Sequence, residues 1–206
     1  EVKIDPKTGT LIRDGVPSII NHDDKTGIEA ALQLKEQLGG TVTVVSMGPP
    51  QADVALREAL AMGCDEAYLV SAREFGGSDT YATSGILAAA LKKVGYDLVI
   101  TGRQAIDGDT AQVGPQIAEK LALPQVSYVE EVKEATEEYV VVKRQYEDGY
   151  HIVKIKTPCL LTAIAELATP RYMSVRGIVE AYEKEIKVLG FEDLKDELEL
   201  DMIGLK

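Results

Sequence analysis

A run of glycines and acidic residues separates an apolar, strand-like stretch from a helical pattern midway along the chain. In open α/β sheets, ligands bind beyond the carboxyl ends of the strands. A helix N-terminus at such a place offers unpaired N–H groups and about half a unit of positive charge, which can hold a phosphate without lysine. The junction therefore has the residue types of an anion-binding loop. Its distinctive residues, after the stretch DLVIT, are Gly102, Asp107, Gly108, Asp109, Thr110 and Gly114.

The residues at this junction have candidate roles toward a nucleotide. Thr110 can donate a hydroxyl proton, Arg103 is the only cation nearby, and the glycines let the backbone approach a ligand closely. A carboxylate repels phosphate, so Asp107 is expected to accept hydrogen bonds from a ribose hydroxyl or from backbone N–H groups. No G-x-G-x-x-G follows a strand, and no Gly-Lys-Ser/Thr occurs. The spacing alone is therefore compatible with a nucleotide site and with an ordinary structural loop.

The start of the helix that follows the junction has two alternatives. Asp109 and Gln112 have the spacing of a helix cap. Pro115 is tolerated in the first turn of a helix but not deeper inside it. The helix therefore begins either near Gly114 or at Asp109 with a kink.

The elements that position this junction alternate between helical and strand-like patterns. One-sided apolar stripes predict three helices, and short β-branched or apolar runs predict three buried strands, which is typical of a parallel sheet covered by helices on both faces. Thr26 and Glu29 have the spacing of a capping box in the first helix. Because the first clear element is a helix, we expect a missing strand before Glu1. The helices are predicted at 23–38, 52–62 and 79–94, and the strands at 41–46, 66–70 and 97–101.

After Pro124 the pattern changes to successive strand-like segments. Asp148 and Gly149 separate two of them and give a strong hairpin signal. With a further apolar strand at 159–164, the sheet is expected to end in an antiparallel extension. The first fifteen residues also read as a polar hairpin. The acidic tail from Phe191 has too little apolar surface for its own core and is expected to lie along a partner.

The composition argues against several classes of function. The 206 residues carry a formal net charge of −12, which disfavours binding to nucleic acid, and no apolar run is long enough for membrane insertion. Cys64 and Cys159 lack metal spacing and read as buried, reduced thiols, which predicts a cytoplasmic protein. His22 has no second histidine or cysteine nearby, so no metal site is predicted. No catalytic triad or acid–base pair is recognisable, and any chemistry is expected to come from a cofactor.

Several longer segments resemble one protein family in the same order along the chain. The segment GRQAIDGDTAQVGP closely resembles the signature of the electron-transfer flavoprotein beta subunit. Three further segments of this chain resemble the corresponding segments of the family. They are VPSIINHDDKTGIEAALQLKE, VTVVSMGPPQADVALREALAMGCDEAYLV and TPRYMSVRGIVEA. The resemblance covers nearly the whole chain. It implies a Rossmann-like α/β domain that pairs with an alpha subunit, in a heterodimer whose redox-active FAD is held mostly by the alpha subunit.

The resemblance also implies a second nucleotide, held by the beta subunit. It is a structural AMP in ordinary members. In electron-bifurcating members it is a second FAD, which takes a hydride from NADH and sends one electron through the alpha-subunit FAD to an acyl-CoA dehydrogenase-type flavoenzyme and the other to ferredoxin or flavodoxin. The segment DGDTAQVGP is more similar to the bifurcating version, because the AMP version tends to be more acidic at Gly108. FAD is therefore expected here, AMP is the alternative, and a stand-alone nucleotide-binding regulatory module without a redox role is the third possibility.

By position, the resemblance assigns residues to a nucleotide site and to a loop that docks partner dehydrogenases. No catalytic or metal-binding residue is implied. At the anchor point of the docking loop, Val175 stands where leucine is common. The docking residues are Arg171, Tyr172, Val175 and Arg176. The nucleotide site comprises Asn21, His22, Asp23, Asp24, Met47, Gly48, Gly102, Arg103, Gln104, Ala105, Ile106, Asp107, Gly108, Asp109, Thr110, Ala111, Gln112, Val113 and Gly114.

The same resemblance predicts the domain organisation. Residues 1–165 are expected to form the adenine-nucleotide-binding domain without its N-terminal strand. Residues 166–206 are expected to form the docking loop, a short helix and the start of a C-terminal arm. Family members usually open with a hydrophobic strand and continue past Lys206 with an arm that wraps the alpha subunit. We therefore expect this chain to be a piece of the full subunit, trimmed at both ends.

Overall fold

The computed structural model describes residues 18–198 and the backbone of two short strands near the N-terminus. Val2 of the predicted hairpin and residues 199–206 of the tail lie outside the described residues. The strands are β1 Lys3–Ile4, β2 Leu11–Ile12, β3 Thr43–Met47, β4 Glu66–Val70, β5 Leu98–Gly102, β6 Gln125–Ala135, β7 Tyr139–Tyr146, β8 Gly149–Lys156, β9 Cys159–Ala163 and β10 Ile186–Leu189. The helices are α1 His22–Leu38, α2 Asp53–Met62, α3 Thr80–Val94, α4 Val113–Lys120, α5 Val175–Glu183 and α6 Phe191–Leu194.

The strands form two larger sheets and a small hairpin. Three parallel strands are ordered β10-β4-β3, and five strands are ordered β5-β9-β6-β7-β8. In the second sheet β5, β9 and β6 run parallel, whereas β6, β7 and β8 are antiparallel. The predicted hairpins are confirmed, because β1 pairs antiparallel with β2 and Tyr146 lies opposite Gly149 in the β7–β8 turn. Among the described residues, β3 pairs only with β4, and β5 pairs only with β9.

Helices cover both faces of the parallel strands, as the alternating pattern predicts. On β3, the adjacent residues Val44 and Val45 point to opposite faces, where Val44 packs with α2 and Val45 packs with α3. Helix α3 also reaches β5, since Leu87 and Leu91 pack in a cluster with Val99. Helix α3 therefore joins the two sheets on one face. The predicted α/β fold with an antiparallel extension is confirmed.

Helix α1 lies on the opposite face of β5 and begins at the end of the sheet where the junction loop lies. A Cβ atom on Gly27 would come 3.1 Å from Ile100 Cγ2, so a glycine allows the helix to pack closely on the strand. The predicted capping box is wrong. Helix α1 begins at His22, so Thr26 lies inside the helix with a buried hydroxyl that has no hydrogen-bond partner. Glu29 accepts hydrogen bonds from Arg171 instead.

The acidic tail up to residue 198 packs on this chain's own core, which corrects the expectation that it lies along a partner. Leu194 and Leu198 are buried in a cluster with Ile86 of α3, and Phe191 packs against the same cluster. Strand β10 extends the parallel sheet by pairing with β4. Sequence reasoning missed this because the apolar residues of the tail are few and are buried only by an element a hundred positions earlier. The proposed domain boundary at residue 165 stays a prediction.

Truncating Leu194 is expected to destabilise the protein strongly. Its side chain is fully buried, so Leu194→Ala removes apolar contacts and leaves a cavity, at a cost of about 2–5 kcal/mol in the free energy of unfolding. Val188→Ala, on the exposed side of β10, is the control and should cost well under about 1 kcal/mol. Urea unfolding followed by circular dichroism measures both, and equal midpoints for the two variants would contradict the packing of the tail.

Candidate functional site

A short hydrogen-bond network joins the start of α1 to the end of β5. Asp24 Oδ1 accepts a hydrogen bond from the backbone N–H of Gly102 at 2.6 Å. Asn21 Nδ2 donates to Asp24 Oδ2 at 2.9 Å and to the carbonyl oxygen of Gln104 at 2.8 Å. Burial raises the pKa of Asp24, although both hydrogen bonds act in the opposite direction. The network fixes two segments that are far apart in sequence into one site.

Two of the three junction glycines are required by protein packing. A Cβ atom on Gly102 would lie 2.7 Å from the backbone nitrogen of Asp24. A Cβ atom on Gly114 would lie 2.7 Å from Thr101 Oγ1 and 2.9 Å from Thr162 Cγ2. These distances are shorter than van der Waals contact. A close approach between elements of the fold therefore requires glycine at these two positions, and approach of the backbone to a ligand there stays a prediction.

Gly108 differs from the other two glycines. No heavy atom lies within 4 Å of the position that its Cβ atom would occupy, and the residue is exposed. Its φ lies outside the left-handed region that favours glycine. The fold therefore leaves open space at Gly108, in the middle of the loop that the resemblance assigns to a nucleotide.

A depression of about 310 Å³ lies where α1 begins and β5 ends. That volume is near the lower end of the range for small-molecule sites. Ile106 is 72% exposed, so an apolar side chain is held open to solvent at its rim. All of its lining residues were predicted for the nucleotide site, and they come from two segments of the chain. They are Asn21, His22, Asp23, Arg103, Gln104, Ile106 and Asp109.

The charges around the depression are mixed. The Arg103 Nε lies 3.5 Å from Asp23 Oδ2, and this Nε is buried without a hydrogen bond. Asp23 itself is buried, whereas Asp109 is exposed. The only cation that lines the depression is therefore held beside a carboxylate. Such a lining offers acceptors for hydroxyl groups together with one donor that can reach an anion.

The junction loop turns sharply before α4 begins. The backbone N–H of Asp109 donates to the carbonyl oxygen of Ala105 at 2.8 Å, and φ is +50° at Asp109 and +53° at Ala111. The Asp109 side chain accepts a hydrogen bond from Gln104 Nε2. Helix α4 begins at Val113, so the alternative that places its start near Gly114 is confirmed. The predicted cap at Asp109 is wrong, because the left-handed turn places Asp109 outside the helix and directs its carboxylate to Gln104.

The remaining predicted nucleotide residues do not line the depression. Met47 packs against the core cluster beside α3, and the backbone N–H of Gly48 donates to the carbonyl oxygen of Val70 at 3.1 Å. Gln112 Oε1 accepts a hydrogen bond from Thr80 Oγ1 at 2.9 Å, which ties the loop to α3. Asp24 does not line the depression but accepts the hydrogen bond from Gly102 at its edge. The others outside the lining are Gly102, Ala105, Asp107, Gly108, Thr110, Ala111, Val113 and Gly114.

Three of the four predicted docking residues, Tyr172, Val175 and Arg176, are exposed on and before α5, whereas Arg171 is half-buried and donates hydrogen bonds to Glu29. Tyr172 is 100% exposed and Val175 is 81% exposed. Ser174 caps the N-terminus of α5, since its Oγ accepts a hydrogen bond from the backbone N–H of Gly177. Arg176 Nε lies 2.6 Å from Glu180 Oε1. The large apolar or aromatic residues exposed there are Tyr172, Met173, Val175, Ile178, Val179 and Tyr182.

The described residues offer little for other chemistry. No group of three metal-ligating side chains occurs in residues 18–198. Burial raises the pKa of both Cys64 and Cys159 to about 11, which disfavours the reactive thiolate. No helix in this part of the chain combines the length and apolar character needed to cross a bilayer.

The comparisons with known proteins agree on one family. A family model described as the electron transfer flavoprotein domain matches residues 8–194. The electron transfer flavoprotein subunit beta of Thermoanaerobacterium thermosaccharolyticum is 60% identical, over 100% of this chain and 78% of that protein. The caffeyl-CoA reductase-Etf complex subunit CarD of Acetobacterium woodii is 60% identical, over 94% of this chain and 74% of that protein. The acryloyl-CoA reductase electron transfer subunit gamma of Anaerotignum propionicum is 54% identical, over 100% of this chain and 79% of that protein.

Alanine substitutions at two junction glycines are expected to have opposite outcomes. Gly102→Ala places a methyl group against the backbone of Asp24 and should cost roughly 1–3 kcal/mol in the free energy of unfolding. Gly108→Ala meets no atom and should change it by less than about 0.5 kcal/mol. Urea denaturation of the two variants checks this, and a similar loss of stability in both would show that the close approach at Gly102 is not what requires glycine.

Proposed function

Since this chain belongs to the electron transfer flavoprotein family, as a beta subunit, we propose that it binds FAD at the depression between α1 and β5. Its role is to help pass electrons from NADH to an acyl-CoA dehydrogenase-type flavoenzyme and to ferredoxin or flavodoxin. The observation that carries the proposal is the convergence of two predicted segments on one depression, joined by the hydrogen bond from Asn21 to the carbonyl oxygen of Gln104. These residues lie 83 positions apart.

The lining of the depression suits the separate parts of an adenine nucleotide. The exposed side chain of Ile106 offers an apolar surface for the adenine ring. The carboxylates of Asp23 and Asp109 are acceptors for ribose hydroxyls. Arg103 is the donor for a phosphate oxygen, and the N-terminus of α4 favours negative charge nearby. The residues therefore fit the adenosine monophosphate group that FAD and AMP have in common.

The chain's own contribution to the reaction is placement. FAD, when bound, supplies the chemistry of accepting a hydride and releasing electrons one at a time. Asp24 and Asn21 hold the loop against α1, Asp23 orients Arg103, and Gln104 holds Asp109. These contacts are made within the protein, so the site is largely preformed before a nucleotide arrives, which lowers the ordering cost of binding.

The open space at Gly108 favours FAD over AMP in this site, and the names of two relatives favour an acyl-CoA-linked partner. The open space at Gly108 leaves room for a larger ligand than a monophosphate along the exposed loop. Two relatives are named as electron transfer subunits of acyl-CoA reductases, the caffeyl-CoA and the acryloyl-CoA enzymes. Those names support a partner that reduces or oxidises an acyl-CoA. The exposed residues around Val175 provide the docking surface for it, and they disfavour the stand-alone regulatory module.

Counting nucleotides in the complex tests the cofactor directly. The beta subunit is co-purified with its alpha subunit, and the nucleotides are released by denaturation and separated by chromatography. We expect two FAD per heterodimer, and we expect anaerobic NADH to bleach flavin absorbance. One FAD and one AMP would overturn the FAD and NADH assignments while leaving an electron-transferring beta subunit. A beta subunit that does not co-elute with the alpha subunit would instead favour the regulatory module.

A charge test at Gly108 locates the nucleotide. Gly108→Glu should weaken FAD binding at this site by about tenfold or more, since the carboxylate meets the diphosphate. Gly108→Gln is the matched comparison, because it adds a side chain of nearly the same size without charge. Any loss of FAD shared by both variants measures the space that the ligand needs, and the further loss with glutamate measures the effect of charge. FAD content after gel filtration at increasing dilution measures the difference. Equal FAD retention in the two variants would place the diphosphate away from this loop.

A further inference from the structure

Arg171 makes an unusually complete set of contacts with α1. Its Nε donates to Glu29 Oε2 at 2.8 Å, and its Nη2 donates to Glu29 Oε1 at 3.0 Å, which is a bidentate pair. Its backbone N–H also donates to Glu29 Oε2 at 3.1 Å, and its Nη1 donates to Glu36 Oε1 at 2.6 Å. We call these three residues, Arg171, Glu29 and Glu36, the staple.

The carboxylate at the centre of the staple is inside the protein. Glu29 is 4% exposed, and its remaining hydrogen bond comes from Gln33 Nε2. Burial by itself would raise the pKa of Glu29, but the hydrogen bonds from Arg171 outweigh it and hold the pKa below the ordinary value. Glu29 therefore stays charged and paired near neutral pH. A buried charge with a single cationic partner fixes the position of that partner.

The staple holds the residue that directly precedes the docking surface. Tyr172, the next residue along the chain, is fully exposed, and α5 begins three residues later at Val175. Helix α5 is fixed to α2 near both of its ends. A Cβ on Gly177, in the first turn, would lie 2.6 Å from the carbonyl oxygen of Ala61, and Arg57 Nη1 donates to the carbonyl oxygen of Ala181, in the last turn, at 2.6 Å. The exposed residues 172–174 are therefore a short span held at both ends.

We infer that Arg171 is a positioning residue that, through Glu29, pre-orders the docking surface for the partner flavoenzyme; this inference rests on the proposed function. An exposed segment that is free to move must be ordered when a partner binds, which weakens binding without any loss of contacts. The staple removes that cost beforehand. It also ties the docking surface to α1, whose N-terminal residues line the nucleotide depression. The same helix therefore lines the proposed nucleotide site and holds Arg171 next to the docking surface.

Glu29→Gln separates positioning from direct contact. Glu29 is buried and cannot touch a partner, and glutamine keeps its shape while losing its charge. In the full-length heterodimer, we expect E29Q to raise the KM for the partner flavoenzyme by about tenfold, with kcat and FAD content unchanged. Amide hydrogen exchange at 171–174 should become about tenfold faster or more, whereas exchange in β5 stays the same. Glu197→Gln, which breaks the Lys92–Glu197 ion pair on α3, on the opposite face of the sheets from α1, is the control and should leave KM unchanged.

The outcomes distinguish this inference from the proposed function. If Arg171→Gln raises the KM but E29Q leaves it within about twofold of the wild type, Arg171 contacts the partner directly and the inference is overturned. If Val175→Asp leaves the KM unchanged, the docking surface itself is misassigned, whatever the staple does. Should E29Q fail to fold, Glu36→Gln at the exposed end of the staple gives the same test. It should raise the KM by about threefold and accelerate exchange at 171–174, and no change in either would overturn the inference.

Discussion

The close approach of α1 to the end of β5 is the constraint on which the candidate site depends. The Asp24 carboxylate accepts a hydrogen bond from the N–H of Gly102 at 2.6 Å, while the backbone nitrogen of Asp24 lies only 2.7 Å from the position that a Cβ on residue 102 would take. The strand can end there only because residue 102 is glycine. Asn21 then bonds to the next part of the loop through Gln104. This approach brings the two lining segments together, and the depression exists because of it.

The charges of the protein are consistent with recognition of a nucleotide by its shape and by backbone N–H groups, and not by a cluster of basic side chains. The whole chain has a formal net charge of −12, and the cation that lines the depression, Arg103, is paired with Asp23. In such surroundings a free anion gains little, whereas a nucleotide gains from hydroxyl contacts, an apolar surface at Ile106 and a helix N-terminus. The acidic residues of the loop are therefore compatible with a nucleotide once they are assigned to its ribose and to the loop's own turn.

Helix α1 connects the features that the family membership implies. Its first turn lines the depression, its inner face packs on β5 through Gly27, and its middle holds Arg171 through the buried Glu29. The proposed docking surface and the proposed nucleotide site are therefore linked through one helix. The sheets are joined in a similar way on the opposite face by α3, which packs on Val70 and on Val99.

The sequence by itself determined the features that depend on neighbouring residues. The 3.6-residue stripes, the β-branched runs and Asp148–Gly149 predicted the helices, the strands and the hairpin, because their periodicity and turn chemistry are local. The family signature also placed both lining segments. Only the tertiary structure decided that Asp109 turns away from α4, that Glu29 receives Arg171 and that Leu194 is buried on α3. Each of these depends on a partner remote in sequence or on the exact path of the backbone, and a one-dimensional pattern does not encode which distant groups meet.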